Sequence, residues 1–152
     1  QEMDLNLMRN ATSADWAELL NKMQDSASVE AEGIGQILAM AGNPNDPVAT
    51  AMGRTNVAYQ LSVDDPAIYA SAWSDFANDN LQEGNVSYLS SVLAYGANPS
   101  THVVANVYSS LGEALSNQPQ TMEGFDVFLQ RVSGIRAVKG RVVTTVIGEW
   151  RP

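Results

Sequence analysis

The stretch VSYLSSVLAYGANPSTHVVANVY, residues 86–108, decides how the chain is read. Its first half sets Val86, Leu89, Val92 and Leu93 at helical spacing and stops at Gly96. Asn98-Pro99 then supplies turn chemistry. Ser100 or Thr101 can open a second helix, with Val104, Val107, Tyr108, Leu111 and Leu115 along one face. Taken at this period, the stretch is a helix, a turn and a helix.

The same period extends upstream. Ser13 can cap a helix with Trp16, Leu19, Leu20 and Met23 on one side. Ser28 can cap another, carrying Ile34, Ile37, Leu38 and Ala41 and ending at Gly42. Asp46-Pro47 and Asp65-Pro66 each pair an N-cap acid with proline at the first helical position. The helices they open carry Val48, Met52, Thr55 and Tyr59, and then Tyr69, Ala72, Trp73 and Phe76. Downstream, Thr121 starts a last helix holding Phe125, Phe128, Leu129 and Val132 and closed by Gly134. The expected fold is all-α: a six- to seven-helix bundle over residues 1–134, with a C-terminal β strand or hairpin arm over 135–152.

An internal duplication is compatible with this reading. Leu38-Ala39-Met40-Ala41-Gly42-Asn43-Pro44 aligns with Leu93-Ala94-Tyr95-Gly96-Ala97-Asn98-Pro99. The helix opened by Asp65 aligns with the one opened by Thr121, Tyr69 meeting Phe125 and Phe76 meeting Val132. Two copies of a three-helix unit would account for both matches, as would the recurrence of Asn-Pro as a good turn.

The character changes after Gly134. Residues 136–147 are β-branched and lack a helical face, so they read as a strand or as a hairpin turning at Lys139-Gly140. Charge changes with them. Residues 1–130 hold three cations against sixteen carboxylates, whereas residues 131–152 hold five cations against Glu149 alone. A basic extended arm on an acidic body can fold back on that body. It can also add a strand to the open edge of another copy or another protein. Nucleic acid is a poorer fit, because the acidic body repels a polyanion; anionic lipid, cell-wall polymer or an idle tail complete the set. Val142, Val143, Val146 and Ile147 are too apolar to leave in water, so something must cover them.

Composition excludes much chemistry. The 152 residues contain no cysteine and one histidine, His102, so disulfides, thiolate catalysis and any site needing two histidines are out. Hydrophobic residues make up 45%, against disorder, yet no apolar run reaches the length of a membrane span. No EF-hand loop, Gly-x-Ser-x-Gly elbow, Walker loop or complete dinucleotide fingerprint is present, and no carboxylate pair is marked. The oxygen-rich run Asp75–Asn80 reads as a helix end before it reads as a calcium site. Tyr88 and Tyr95, two helical turns apart, suggest an interface. No cofactor and no metal are expected.

The expected function is non-enzymatic: a structural or assembly subunit of an extracellular, periplasmic or virion-type complex. The chain starts Gln1-Glu2, as a mature protein would after loss of a leader. Its partner is a protein, another copy or a component of the complex, presenting an acidic surface. Arg136, Lys139, Arg141 and Arg151 would orient the arm, and Val142, Val143, Val146, Ile147 and Trp150 would bury the contact area. The alternative is a secreted or periplasmic helical module holding a small apolar ligand near Tyr69, Trp73 and Phe128.

Overall fold

The computed structural model describes residues 13–24, 33–95 and 100–148. The chain divides into two units, residues 1–32 and 33–152. The first contains helix α1, Ala14–Gln24, whose exposed surface carries a Lys22–Glu18 ion pair at helical i,i+4 spacing.

The second unit is a mixed α/β fold, and this overturns the all-α bundle. Its strands are β1 Gly33–Ala41, β2 Thr55–Val63, β3 Val86–Tyr95, β4 His102–Tyr108 and β5 Arg136–Thr145. They form one sheet in the order β1-β3-β4-β2-β5, with every neighbouring pair antiparallel. The connecting helices are α2 Pro47–Thr50, α3 Pro66–Asn80, α4 Leu111–Ser116 and α5 Phe125–Arg131. Thus β2-α3-β3 and β4-α5-β5 are two split β-α-β units. Each leaves a gap between its strands that one strand of the other fills. β1 adds a fifth strand beside β3.

The deciding stretch is therefore two antiparallel strands: Val86 pairs with Val107, and Ser91 with His102. Leu, Ala and Tyr spaced three and four apart mimic a helical stripe. The burial in β4 runs close to period two instead, with His102, Val104 and Tyr108 buried on the helix side, the side on which β3 buries Ser87 and Leu89; Val86 at the start of β3 is buried as well. β2 shows the alternation plainly, since Thr55, Val57, Leu61 and Val63 are buried and the residues between them are not. The helix opened at Asp46-Pro47 ends after one turn, where Gly53 takes φ +83° and the chain turns into β2. The three-helix repeat has no counterpart, because the segments aligned around residues 38–41 and 93–95 lie in adjacent strands.

The second aspartate–proline device does open a helix. Asp65 is its N-cap and accepts from the Ile68 backbone N–H at 3.0 Å, with Pro66 at the first position. Tyr69, Ala72, Trp73 and Ala77 form the buried face of α3. They pack with Leu61, Leu89, Val104, Phe128 and Val132 in the main core between sheet and helices. Val57, Tyr108 and Ala114 make a smaller cluster under α4. Among the described residues no helix is long and apolar enough to cross a membrane.

Residues 136–145 are an edge strand of this sheet, paired along β2 from Arg136–Val63 to Thr145–Thr55. The register slips once, where Val138 faces Leu61 and Gly140 faces Gln60, leaving Lys139 without a partner. That bulge has a consequence for side chains. Arg136 and Arg141 are an odd number of residues apart, and in a regular strand they would point to opposite faces. With the extra residue between them, both stand opposite residues of the helix-facing side, Val63 and Tyr59.

Candidate ligand-binding cleft

A cleft of about 320 Å³ lies between the helices and the β2–β4–β5 part of the sheet. Its size is at the lower end of the range for small-molecule sites. It exists because the helical layer is uneven. α3, fifteen residues long, rests on β1 and β3, whereas the seven-residue α5 packs on α3. A helix of seven residues spans roughly 10 Å, too short to cover strands of nine or ten residues at about 3.4 Å each.

Seven of the residues that line it are aromatic. Phe128 stacks on Phe76 with centroids 5.1 Å apart and meets Tyr69 edge-on at 6.0 Å. Trp73 lines the α3 side, Tyr59 and Tyr108 the sheet side. Burial raises the hydroxyl pKa of all three tyrosines. Tyr69 and Tyr59 are raised by desolvation and partly relieved by Arg136 and Arg141 respectively. Tyr108 is pushed up to about 12 by desolvation, reinforced by neighbouring Tyr59 and Glu113. All three are neutral at physiological pH.

The far wall is built from amides. Gln82 Nε2 donates to Asn117 Oδ1 at 2.9 Å, and Asn117 Nδ2 returns a bond to Gln82 Oε1 at 3.3 Å. The Tyr108 hydroxyl donates to the Asn117 carbonyl at 3.2 Å. Asn80 Nδ2 donates to the Glu123 carbonyl, tying the end of α3 to the segment before α5. Ser87 Oγ donates to Asn106 Oδ1 at 2.5 Å.

Asn85 is different. It is 4% exposed, and its Nδ2 donates to Glu113 Oε1 at 2.8 Å, which fixes the amide's orientation. Its Oδ1 is buried and without a partner. Leaving a buried acceptor unsatisfied costs on the order of 1–3 kcal/mol, and this one belongs to a residue that lines the cleft. Glu113 itself is desolvated, which raises its pKa. Bonds from the Ser109 hydroxyl, the Asn85 amide and the Ser109 backbone N–H together outweigh that and lower it. It stands ready as a carboxylate acceptor holding Asn85.

The residues singled out from sequence are dispersed. Tyr69, Trp73 and Phe128 all line the cleft, which lies between sheet and helices and not between helical halves. Arg136 and Arg141 also line it. Arg136 Cζ is 5.3 Å from the Phe128 ring centre, and Arg141 Cζ is 5.5 Å from that of Tyr59. Lys139 sits at the bulge. Val142 and Val143, opposite Ala58 and Val57, are each 45% exposed, and Ile147 beyond the strand is 92% exposed. The Val146 backbone is bonded to both Gly53 and Arg54. Trp150 and Arg151 lie outside the described residues, as does Gln1. His102 begins β4, 6% exposed, with Nδ1 against the Thr101 hydroxyl at 2.9 Å; burial lowers its pKa.

Sequence reasoning missed Asn85, Asn106, Asn117 and Tyr108 as parts of one site. They come from the β2–β4 side and from loops that meet only in three dimensions. The signal within reach was the excess of Asn and Gln around residues 80–85 and 117–120 beside aromatic stripes. No group of three or more potential metal-ligating residues occurs among the described residues. No family model matches this chain, and no curated protein or solved structure is significantly similar to it.

Proposed function

We propose that the chain is a binding module for a small, largely apolar molecule held in the cleft between α3, α5 and the β2–β4–β5 strands. One observation carries the reading: a cleft of about 320 Å³ lined by seven aromatic side chains, with the Asn85 amide among its lining residues. The rings supply apolar area to a bound molecule. The role of the site is capture, with the tyrosine hydroxyls acting as neutral hydrogen-bonding groups.

Titration with the uncharged fluorophore N-phenyl-1-naphthylamine tests this. Saturable enhancement is expected in the native chain, together with a raised Tm at excess probe. Val104→Phe, which fills the floor from β4, abolishes both effects while the sheet remains folded by circular dichroism. Absence of saturable binding, or binding unchanged by Val104→Phe, would overturn the reading.

The assembly reading keeps one supporting observation. β5 is the last strand on its side of the sheet, and Val142, Val143 and Ile147 are exposed on or beside it. In that reading Arg136, Lys139 and Arg141 orient a second copy of this chain on the β5 edge. Light scattering at low and high salt decides it. A dimer that Val142→Lys dissociates supports it, and a monomer under both conditions removes it.

A further inference from the structure

The cations of this chain are outnumbered by carboxylates, eight against seventeen. Acidic partners are therefore abundant, and the described cations outside β5 have found partners. Lys22 pairs with Glu18, Arg131 with Asp75 at 2.6 Å, and Arg54 donates to the carbonyls of Thr50 and Ala51. Arg136 and Arg141 do not pair with any carboxylate among the described residues. They lie over the faces of Phe128 and Tyr59, at the β5 side of the cleft, and both are there because the bulge at Lys139 brings them to one face. No carboxylate lines the cleft among the described residues, so its formal charges are these two guanidiniums.

We propose that the ligand is a small organic anion. Its ring-sized apolar body occupies the aromatic part of the cleft, and its carboxylate, sulfonate or phosphate group is held by Arg136 and Arg141. This rests on the cleft being the binding site and adds the ligand's charge. Arg136 already donates to the Tyr69 hydroxyl, and its remaining N–H groups together with the fork of Arg141, which lies over Tyr59, match the oxygens of such a group. A polyanion does not fit. The cleft is small, and the chain's net charge of −9 repels an extended chain of phosphates beyond the reach of two arginines.

Two probes with the same rings separate the possibilities. 8-Anilinonaphthalene-1-sulfonate carries a sulfonate that N-phenyl-1-naphthylamine lacks. The native chain is expected to bind the sulfonate about tenfold more tightly than the neutral probe. Arg141→Gln and Arg136→Gln should each remove most of that preference, weakening the sulfonate far more than the neutral probe. Arg141→Lys, which keeps a charge, should retain part of it. Arg141 is exposed, so its variants read out the proposal even if Arg136→Gln perturbs folding. Equal affinity for both probes in the native chain, or arginine variants that weaken both alike, would overturn the anion while leaving the cleft a binding site. Failure of both probes to bind, or binding indifferent to Val104→Phe, would overturn the binding site and the anion with it.

Discussion

The sheet carries two different kinds of cover. Over β1 and β3 it meets α3, a fifteen-residue helix with a four-residue buried face, and Leu89 between them is fully buried. Toward β2 and β5 it meets α5, seven residues long, which leans on α3 through Phe76, Phe125 and Phe128. One half is sealed by apolar packing. The other leaves a cleft and fills its borders with amides, tyrosines and two arginines. The contrast separates stability from recognition, because a long amphipathic helix can close a sheet face and a short one cannot.

Breaking the sealed half should cost most. Leu89→Ala removes a side chain with no exposed surface and should destabilise by about 3 kcal/mol, lowering the chemical-denaturation midpoint, with probe affinity in the folded fraction unchanged. Loss of binding without loss of stability would show that the halves are not separable. Gly42→Ala tests where they join. Gly42 has φ +87°, and an added Cβ would sit 2.3 Å from the Asn85 carbonyl oxygen and 2.7 Å from Leu81 Cδ2. A loss of about 2 kcal/mol is expected from backbone strain, with weakened probe binding as Asn85 shifts. A neutral Gly42→Ala would mean the joint is soft.

A smaller effect is expected at the edge of the sealed half. Asp65→Ala removes the N-cap of α3 and should cost about 1 kcal/mol, seen as a lower Tm with no change in the cleft.

The acid response sharpens the comparison further. Burial lowers the pKa of His102 in the folded state below its usual 6.5, so below that pH the unfolded chain takes up a proton the fold resists. Glu113, lowered from 4.5, adds stability that is present above that value and lost as pH falls through its folded pKa. Stability should therefore decline in two stages on acidification. Glu113→Gln should flatten the lower stage and weaken the hold on Asn85. An acid profile unchanged by that variant would show that Glu113 contributes no linkage.

Legibility from sequence followed how local each signal is. Asp65-Pro66 announced α3 correctly in place and type, because an N-cap acid followed by proline acts within one turn. The apolar stripe of Tyr69, Ala72 and Trp73 was equally readable. The strands were not, apart from residues 136–145, where β-branched residues crowd together. In β1 and β3, Ala, Leu and Met are good helix formers and their spacing fits either period. Val103, Val104 and Val107 in β4 were the clearest missed signal, and the alternation in Thr55–Val63 the next. For the cleft, the aromatic members were legible as core candidates. The amides were not, since nothing in a linear sequence says that Asn85, Asn106 and Asn117 share a wall.

Sequence by itself determined the excluded chemistries, the charge asymmetry, the α3 helix and the strand character of residues 136–145. Each follows from residue type or from interactions within a few residues. Tertiary structure alone decided that the helical periods read over residues 33–41, 55–63, 86–95 and 102–108 give way to an antiparallel sheet. Strand pairing satisfies backbone groups between segments distant in the chain, and its gain depends on which partner is present. The same holds for the basic C-terminal stretch. Its residues make it a strand, but only its pairing with β2, and the single bulge at Lys139, turn two of its arginines toward the cleft.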